Sequence, residues 1–244
     1  MIAMKLHINT DYTGISPYPI MIILSFIVGL FVQYYFNVKR GINKNTSCKL
    51  ILISPVMSVI CAVLLTYYSS GRKYFGFSSI GGLVGMYMAT LISAIIERKN
   101  GEIKIMLENC TFALPLMYSI SKIGCLFAGC CHGIEYSGFL SVHYISNTCA
   151  EMALFPVQLL ETIAFFIIFV VGIVLYKMHS RKSLYVTFGL SVSAKFIIDF
   201  FRESHNGKVL SFNQLLCLIL WAVMIAVSWL YKRRKCGRFC LKRN

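Results

Sequence analysis

The chain has 244 residues, 24 Lys and Arg against 9 Asp and Glu, a formal net charge of +15 and 57% hydrophobic residues. A mean hydropathy of +0.70 and 14% charged residues, against about 25% in soluble domains, exclude an ordinary water-soluble protein. The chain reads as an all-α, polytopic integral membrane protein, with a basic excess that reports topology; nucleic acid is not an expected partner.

Seven apolar runs reach the roughly 18–25 residues needed to cross a hydrocarbon core. They are Pro19–Phe36, Leu50–Tyr68, Ser79–Ile96, Ile105–Phe127, Pro156–Tyr176, Leu184–Phe201 and Leu210–Tyr231. The first has only Lys5 as basic character before it and no small-x-small cleavage pattern after it, so it is expected to be a retained anchor. The fourth carries Glu108, Asn109, Pro115, Ser119, Ser121 and Lys122, and the sixth carries Ser191, Ser193, Lys195 and Asp199. Helices of that polarity face protein or water rather than lipid. Residues 1–244 are expected to form a single seven-helix transmembrane domain.

Lysine and arginine set the orientation. One face carries Lys39, Arg40, Lys44, Lys49, Arg98, Lys99, Lys104, Lys177, Arg181 and Lys182, followed by seven more from Lys232 to Arg243. The other has Lys5, Arg72, Lys73, Arg202 and Lys208. This bias predicts a cytoplasmic C-terminus and, after seven crossings, an N-terminus outside. The loop from Gly129 to Phe155, which contains no Lys or Arg, then lies on the outer side.

At the outer end of the fourth span, Ser121 to Gly133 gathers Lys122, Gly124, Cys125, Gly129, Cys130, Cys131, His132 and Gly133. A plain anchor has no use for that concentration of charge, thiol and imidazole. Cys125, Cys130 and Cys131 offer donors that metals accept, but zinc sites favour Cys-x2-Cys spacing and adjacent cysteines do not easily share an ion. No metal is therefore expected. A disulfide to Cys149, packed thiols, or a reactive Cys131 beside His132 all remain open at this point. The chain has no phosphate-cradling glycine loop or nucleotide motif, and no cofactor is expected.

Five short motifs follow one another along the chain: Gly81-Gly82-Leu83, then Ala113-Leu114-Pro115 ahead of Lys122-Ile123-Gly124-Cys125, and Pro156-Val157-Gln158-Leu159-Leu160-Glu161. Lys195 to Glu203, reading Lys-Phe-Ile-Ile-Asp-Phe-Phe-Arg-Glu, and Ser211-Phe212-Asn213-Gln214 complete them. In order and spacing, from about Gly81 to Leu220, the chain resembles the prolipoprotein diacylglyceryl transferase family, in a divergent form with Gly-Cys-Cys-x-Gly after the fourth helix. That family's seven helices and outside-N, inside-C arrangement agree with the charge pattern.

The resemblance implies a bacterial cytoplasmic-membrane enzyme whose site faces the extracytoplasmic side. It would transfer a diacylglyceryl group from phosphatidylglycerol, or another anionic phospholipid, to the lipobox cysteine of an exported lipoprotein precursor. Such chemistry needs a thiolate and a cation near the departing phosphate. Arg202 matches the arginine of the family's helix-six motif. Lys122 stands where the family's Gly-Arg-x-Gly-Asn motif has arginine, and Cys125 replaces its asparagine. Lysine keeps the charge but loses the fork that grips phosphate with two bonds. The competing roles are structural: a snorkelling Arg202, or one paired with Asp199 or Glu203, and Lys122 neutralised by Glu161 or Glu108.

Lys122, Arg202 and His132 are thus the expected catalytic residues. Gly81, Gly82, Gly124, Cys125, Gln158, Glu161 and Glu203 are the expected substrate-binding or supporting residues, in a site between spans three, four, five and six. The family's His-Gly-Gly pattern has its histidine where this chain has Ile80. A base would then come from elsewhere, with His132, His143 and His205 on the outer side. The second reading is a non-catalytic or redox-active lipid-binding protein using the Cys125, Cys130 and Cys131 cluster. A transporter is disfavoured because the polar residues line no through-path.

Overall fold

The computed structural model describes residues 5–10, 16–73, 75–97, 102–145, 152–178, 180, 182–205, 207 and 209–241, with side chains as far as 229 in the last helix. Its helices are α1 (Pro17–Lys39), α2 (Lys44–Ser69), α3 (Ser79–Ile96), α4 (Ile103–Phe127), α5 (Val157–Lys177), α6 (Ser183–Ile198) and α7 (Phe212–Leu241). All seven contain a stretch long and apolar enough to cross a membrane, α6 with the turn that follows it. The expected seven-helix membrane class is therefore the observed one.

Local chemistry starts these helices. The Ser16 side chain accepts from Tyr18 N with Pro17 beginning α1, Asn43 accepts from Asn45 N at the start of α2, and Ser78 from Gly81 N at the start of α3. Large apolar side chains such as Ile23, Ile27 and Phe31 on α1, or Leu215, Val223 and Ile225 on α7, stand exposed, as lipid-facing residues do. The interior collects polarity instead. Between α1, α4 and α6, Arg40 bonds Glu108 at 2.7 Å and Asn109 at 3.1 Å, Asn109 reaches Asn37 at 2.8 Å, and Ser183 reaches Glu108 at 3.2 Å.

Helix α4 is the hub, with 67% of its span inside the molecule against 11% for α7. Helix α3 lies almost backbone to backbone on α2. A Cβ at Gly81 would come within 2.6 Å of the Cys61 carbonyl oxygen, and one at Gly85 within 2.4 Å of that of Met57. Gly124 serves the same end between α4 and α1, where a Cβ would fall 2.8 Å from that of Met21.

Two features were not expected. A small sheet stands beside the helices: β1 (Lys5–Asn9) pairs in parallel with β2 (Ser141–Ile145), and β2 pairs antiparallel with β3 (Ala153–Leu154). Ile8 and Val142 pack on Leu126 near the end of α4, which fixes the sheet to the helices. The sixth span also does not stay helical to Phe201. It tightens at Asp199–Phe201 into a 3-10 turn, and Arg202 emerges extended to bridge Gly133 in an antiparallel pair. Ile134 N to Phe201 O at 3.1 Å extends that pairing.

Candidate functional site

Glu161, one turn into α5 and fully buried, is the centre to which four side chains converge. Lys122 Nζ of α4 lies 3.0 Å from its carboxylate, Lys195 Nζ of α6 lies 2.8 Å away, and Arg202 Nη2 lies 3.0 Å from one oxygen and 2.8 Å from the other. Tyr118, one helical turn before Lys122 on the same face of α4, donates to Glu161 at 2.7 Å and accepts from Lys195 at 2.6 Å.

A second carboxylate stands behind Arg202. Asp199 Oδ1 is 3.8 Å from Arg202 Nε. Asp199 also accepts from the Ser211 hydroxyl and, at 3.4 Å, from Asn213. Ser211 and Gln214 form a reciprocal capping box: Gln214 N reaches Ser211 Oγ at 3.1 Å, and Ser211 N reaches Gln214 Oε1 at 2.8 Å. The Ser-Phe-Asn-Gln motif thereby starts α7 and holds Asp199. The cations Lys122, Lys195 and Arg202 thus face the carboxylates of Glu161 and Asp199. Buried Arg202 Nε–H has no hydrogen bond among the described residues. Despite burial, the Glu161 carboxylate keeps the Arg202 guanidinium above its ordinary value.

These cations face a cavity of about 720 Å³ whose wall includes Tyr118, Lys122, Lys195, Arg202, Cys125, Cys131 and Gly82. The rest is largely apolar, from Ile22 and Phe26 of α1, Val59 of α2, Leu83 and Met86 of α3, Phe188 and Val192 of α6, and Leu220 of α7. The cavity thus extends to α1, α2 and α7, beyond the four spans expected from sequence, and among the described residues α5 contributes only Phe165 to the lining.

Beyond the end of α4 the chain turns through Gly129, at φ 67°, into Cys131, at φ 57°. That left-handed backbone costs a residue with a Cβ about 1–2 kcal/mol. It brings the sulfurs of Cys125, Cys130 and Cys131 within 4.8 Å of one another, all as free thiols. Hydrogen bonding with the Cys125 and Cys130 sulfurs holds the Cys131 thiol well below its ordinary value, helped by Lys122 and Arg202. The same sulfur contacts push the Cys130 thiol up.

Of the residues expected from sequence, Lys122, Glu161 and Arg202 meet directly, and Cys125 and Gly82 share their cavity. The others lie apart. His132 presents Nε2 to Glu203 at 2.6 Å and Nδ1 to the Gly129 carbonyl at 3.2 Å, outside the cavity wall. Gln158 does not touch Lys122 but donates to the Cys130 carbonyl at 2.9 Å and to Tyr144 Oη at 3.1 Å. Gly81 and Gly124 serve helix packing, and Cys149 lies outside the described residues.

Ile80 is buried against Val192 and Cys217. Among the described residues no histidine lines the cavity. His143 bonds Ser141 at 3.2 Å, and His205 meets the Phe200 ring edge-on at 4.7 Å. The sequence reading missed Lys195 and Tyr118 as members of the site. An ionisable residue inside a span is itself a signal of function, and Lys195, in the last turn of α6, carried it. Tyr118 was legible only as a neighbour of Lys122 one turn away.

Among the described residues, seven membrane-length helices and an apolar cavity whose wall carries Lys122, Lys195 and Arg202 define a polytopic membrane protein. The chain belongs to the prolipoprotein diacylglyceryl transferase family, whose profile matches residues 6–230. Two proteins named phosphatidylglycerol–prolipoprotein diacylglyceryl transferase, from two strains of Dehalococcoides mccartyi, are each 26% identical to it over 89% of this chain and 89% of theirs.

Proposed function

We propose that this transferase moves the diacylglyceryl group of phosphatidylglycerol, or of another anionic phospholipid, onto the lipobox cysteine thiol of an exported lipoprotein precursor. The reaction is assigned to the extracytoplasmic face of a bacterial cytoplasmic membrane, with the N-terminus outside and the chain acting as one seven-helix domain. The observation that carries this reading is a cluster of three cationic side chains, Lys122, Lys195 and Arg202, on one wall of a largely apolar cavity, an arrangement suited to a phosphodiester attached to acyl chains. Names borne by relatives at 26% identity agree with it.

In this reading the acyl chains lie along α1, α3 and α7 while Arg202, Lys122 and Lys195 hold the phosphate. Glu161 positions those cations and keeps them from repelling one another. The acceptor thiolate attacks the glyceryl carbon that carries the phosphoester oxygen; the carbon–sulfur bond forms, the carbon–oxygen bond breaks, and glycerol phosphate leaves. Negative charge grows on the leaving oxygen, where fixed cations in a dry cavity stabilise it most. With Ile80 in the histidine position, the acceptor enters as a thiolate, its proton given up to water outside the cavity, and the charges of Lys122, Lys195 and Arg202 favour that form. Gly133 and the 3-10 turn hold the Arg202 backbone in place.

Ile80, packed among apolar side chains, favours a second reading: a lipid-binding protein that has lost transfer. Expression in bacteria depleted of their own diacylglyceryl transferase separates the two. The first predicts that a lipoprotein precursor gains the lipid mass and that Arg202→Ala abolishes the gain. An unmodified precursor in cells containing folded, inserted protein favours the second.

A further inference from the structure

The thiols at the end of α4 have no part in the transfer chemistry above. Cys130 and Cys131 are neighbours in sequence, and an extended or helical backbone would not direct both sulfurs to one point. Left-handed Cys131 removes that obstacle, and with Cys125 it creates a site in which all three sulfurs lie within 4.8 Å.

The surroundings hold this arrangement. Cys130 N bonds the Cys125 carbonyl at 3.2 Å, and the Cys130 carbonyl accepts from buried Gln158 at 2.9 Å. A Cβ at Gly129 would fall 3.1 Å from Cγ2 of Thr10, the residue after β1, and 3.4 Å from Cδ1 of Tyr144 in β2, so the ends of these strands close over the turn. Lys122, one turn before Cys125, and Arg202 line the same cavity as Cys125 and Cys131, and their charge favours thiolates.

We propose that Cys125, Cys130 and Cys131 form a three-thiolate site for one soft, thiophilic metal ion of the monovalent copper class. Thiolate ligands select such ions. Zinc asks for four ligands in a tetrahedron, and the nearest imidazole in sequence, His132, is turned to Glu203 and the Gly129 carbonyl. The site binds the ion as thiolates and releases protons as it fills. It adjoins the phosphate-binding cations, but its existence does not depend on transfer activity.

The test uses the full chain in detergent, reduced and free of oxygen, with Cu(I) supplied as a coloured bicinchoninate complex. The protein is expected to withdraw one equivalent of copper from the chelator. Cys125→Ser and Cys131→Ser should each weaken retention by at least about tenfold, the lower end of what even a ligand's supporting partner contributes. Exposed Cys48 serves as the control, and Cys48→Ser should retain copper fully. X-ray absorption at the copper edge of the unaltered protein should report three sulfur neighbours, a reading that needs no variant to fold. Failure to compete with the chelator overturns the proposal. So do retention unchanged in both site variants, a shell without three sulfurs, or preference for Zn(II) over Cu(I).

Discussion

Arg202 Nη2 spans both oxygens of the Glu161 carboxylate, 3.0 Å from Oε1 and 2.8 Å from Oε2. Arg202 comes from the turn after α6 and Glu161 from the first turns of α5, so this pair locks two helices together at the end where the cavity is charged. The pair is also the reason Arg202 does not snorkel to the surface. Its guanidinium is held inward, with Asp199 Oδ1 3.8 Å from Nε.

Glu161 neutralises cations that are themselves buried, so its removal leaves them facing one another in a poor solvent. Breaking a buried ion pair from one side costs about 3–5 kcal/mol. Glu161→Gln is expected to lower the thermal unfolding temperature of the detergent-solubilised protein sharply. A variant that unfolds at the parent temperature would remove Glu161 from its organising place.

Arg202→Ala removes charge from the departing phosphate. A fixed oxyanion-stabilising group contributes roughly 10²–10³-fold in rate, and a loss of that order in turnover at saturating phospholipid is expected. Arg202→Lys keeps the charge without the fork and should fall between the two. Equal turnover in all three would return Arg202 to a structural role.

Lys195→Met tests the third cation of the wall. It removes a cation and the amine bonded to Tyr118 while keeping similar bulk. Turnover should fall more than phospholipid affinity, because two cations still hold the headgroup. An affinity loss with unchanged turnover would make Lys195 a binding residue only.

Gly133 lies across the bridge from Arg202, and a Cβ there would come within 2.5 Å of the Phe155 carbonyl oxygen. Gly133→Val must displace either Phe155 or the Arg202 backbone. Transfer should drop severely while the helical circular dichroism signal persists; full transfer by this variant would show that the bridge does not set Arg202.

Orientation is open to labelling of the thiols. Exposed Cys131 should react with a membrane-impermeant maleimide in intact cells, and exposed Cys48, at the first turn of α2, only after permeabilisation. The reverse pattern would invert the topology.

Much of this architecture was legible because hydropathy sets membrane spans directly. Helix α3 runs over Ser79–Ile96 as expected, since Ser78 caps it and a basic loop follows. The sheet was not legible: Lys5–Asn9 and Ser141–Ile145 are five residues each, too short to stand out beside apolar helices. Phe200 and Phe201 extended the apolar signal of α6, while the turn that ends it is fixed by Asp199 meeting Ser211 and Asn213, contacts that only folding brings about. For the same reason sequence could name Lys122, Glu161 and Arg202 but not their meeting with Lys195, which depends on how α5 and α6 rotate against each other. His132 sits in the most distinctive motif of the chain, yet its ring turns to Glu203 because the Gly129 turn directs it away from the cavity.

The most direct test is transfer by the purified protein in phosphatidylglycerol vesicles to a synthetic lipobox peptide, read by intact mass. The account predicts a peptide heavier by one diacylglyceryl group, release of one glycerol phosphate per peptide, and loss of both with Arg202→Ala. An unmodified peptide beside folded protein, or equal modification by the variant, would contradict it.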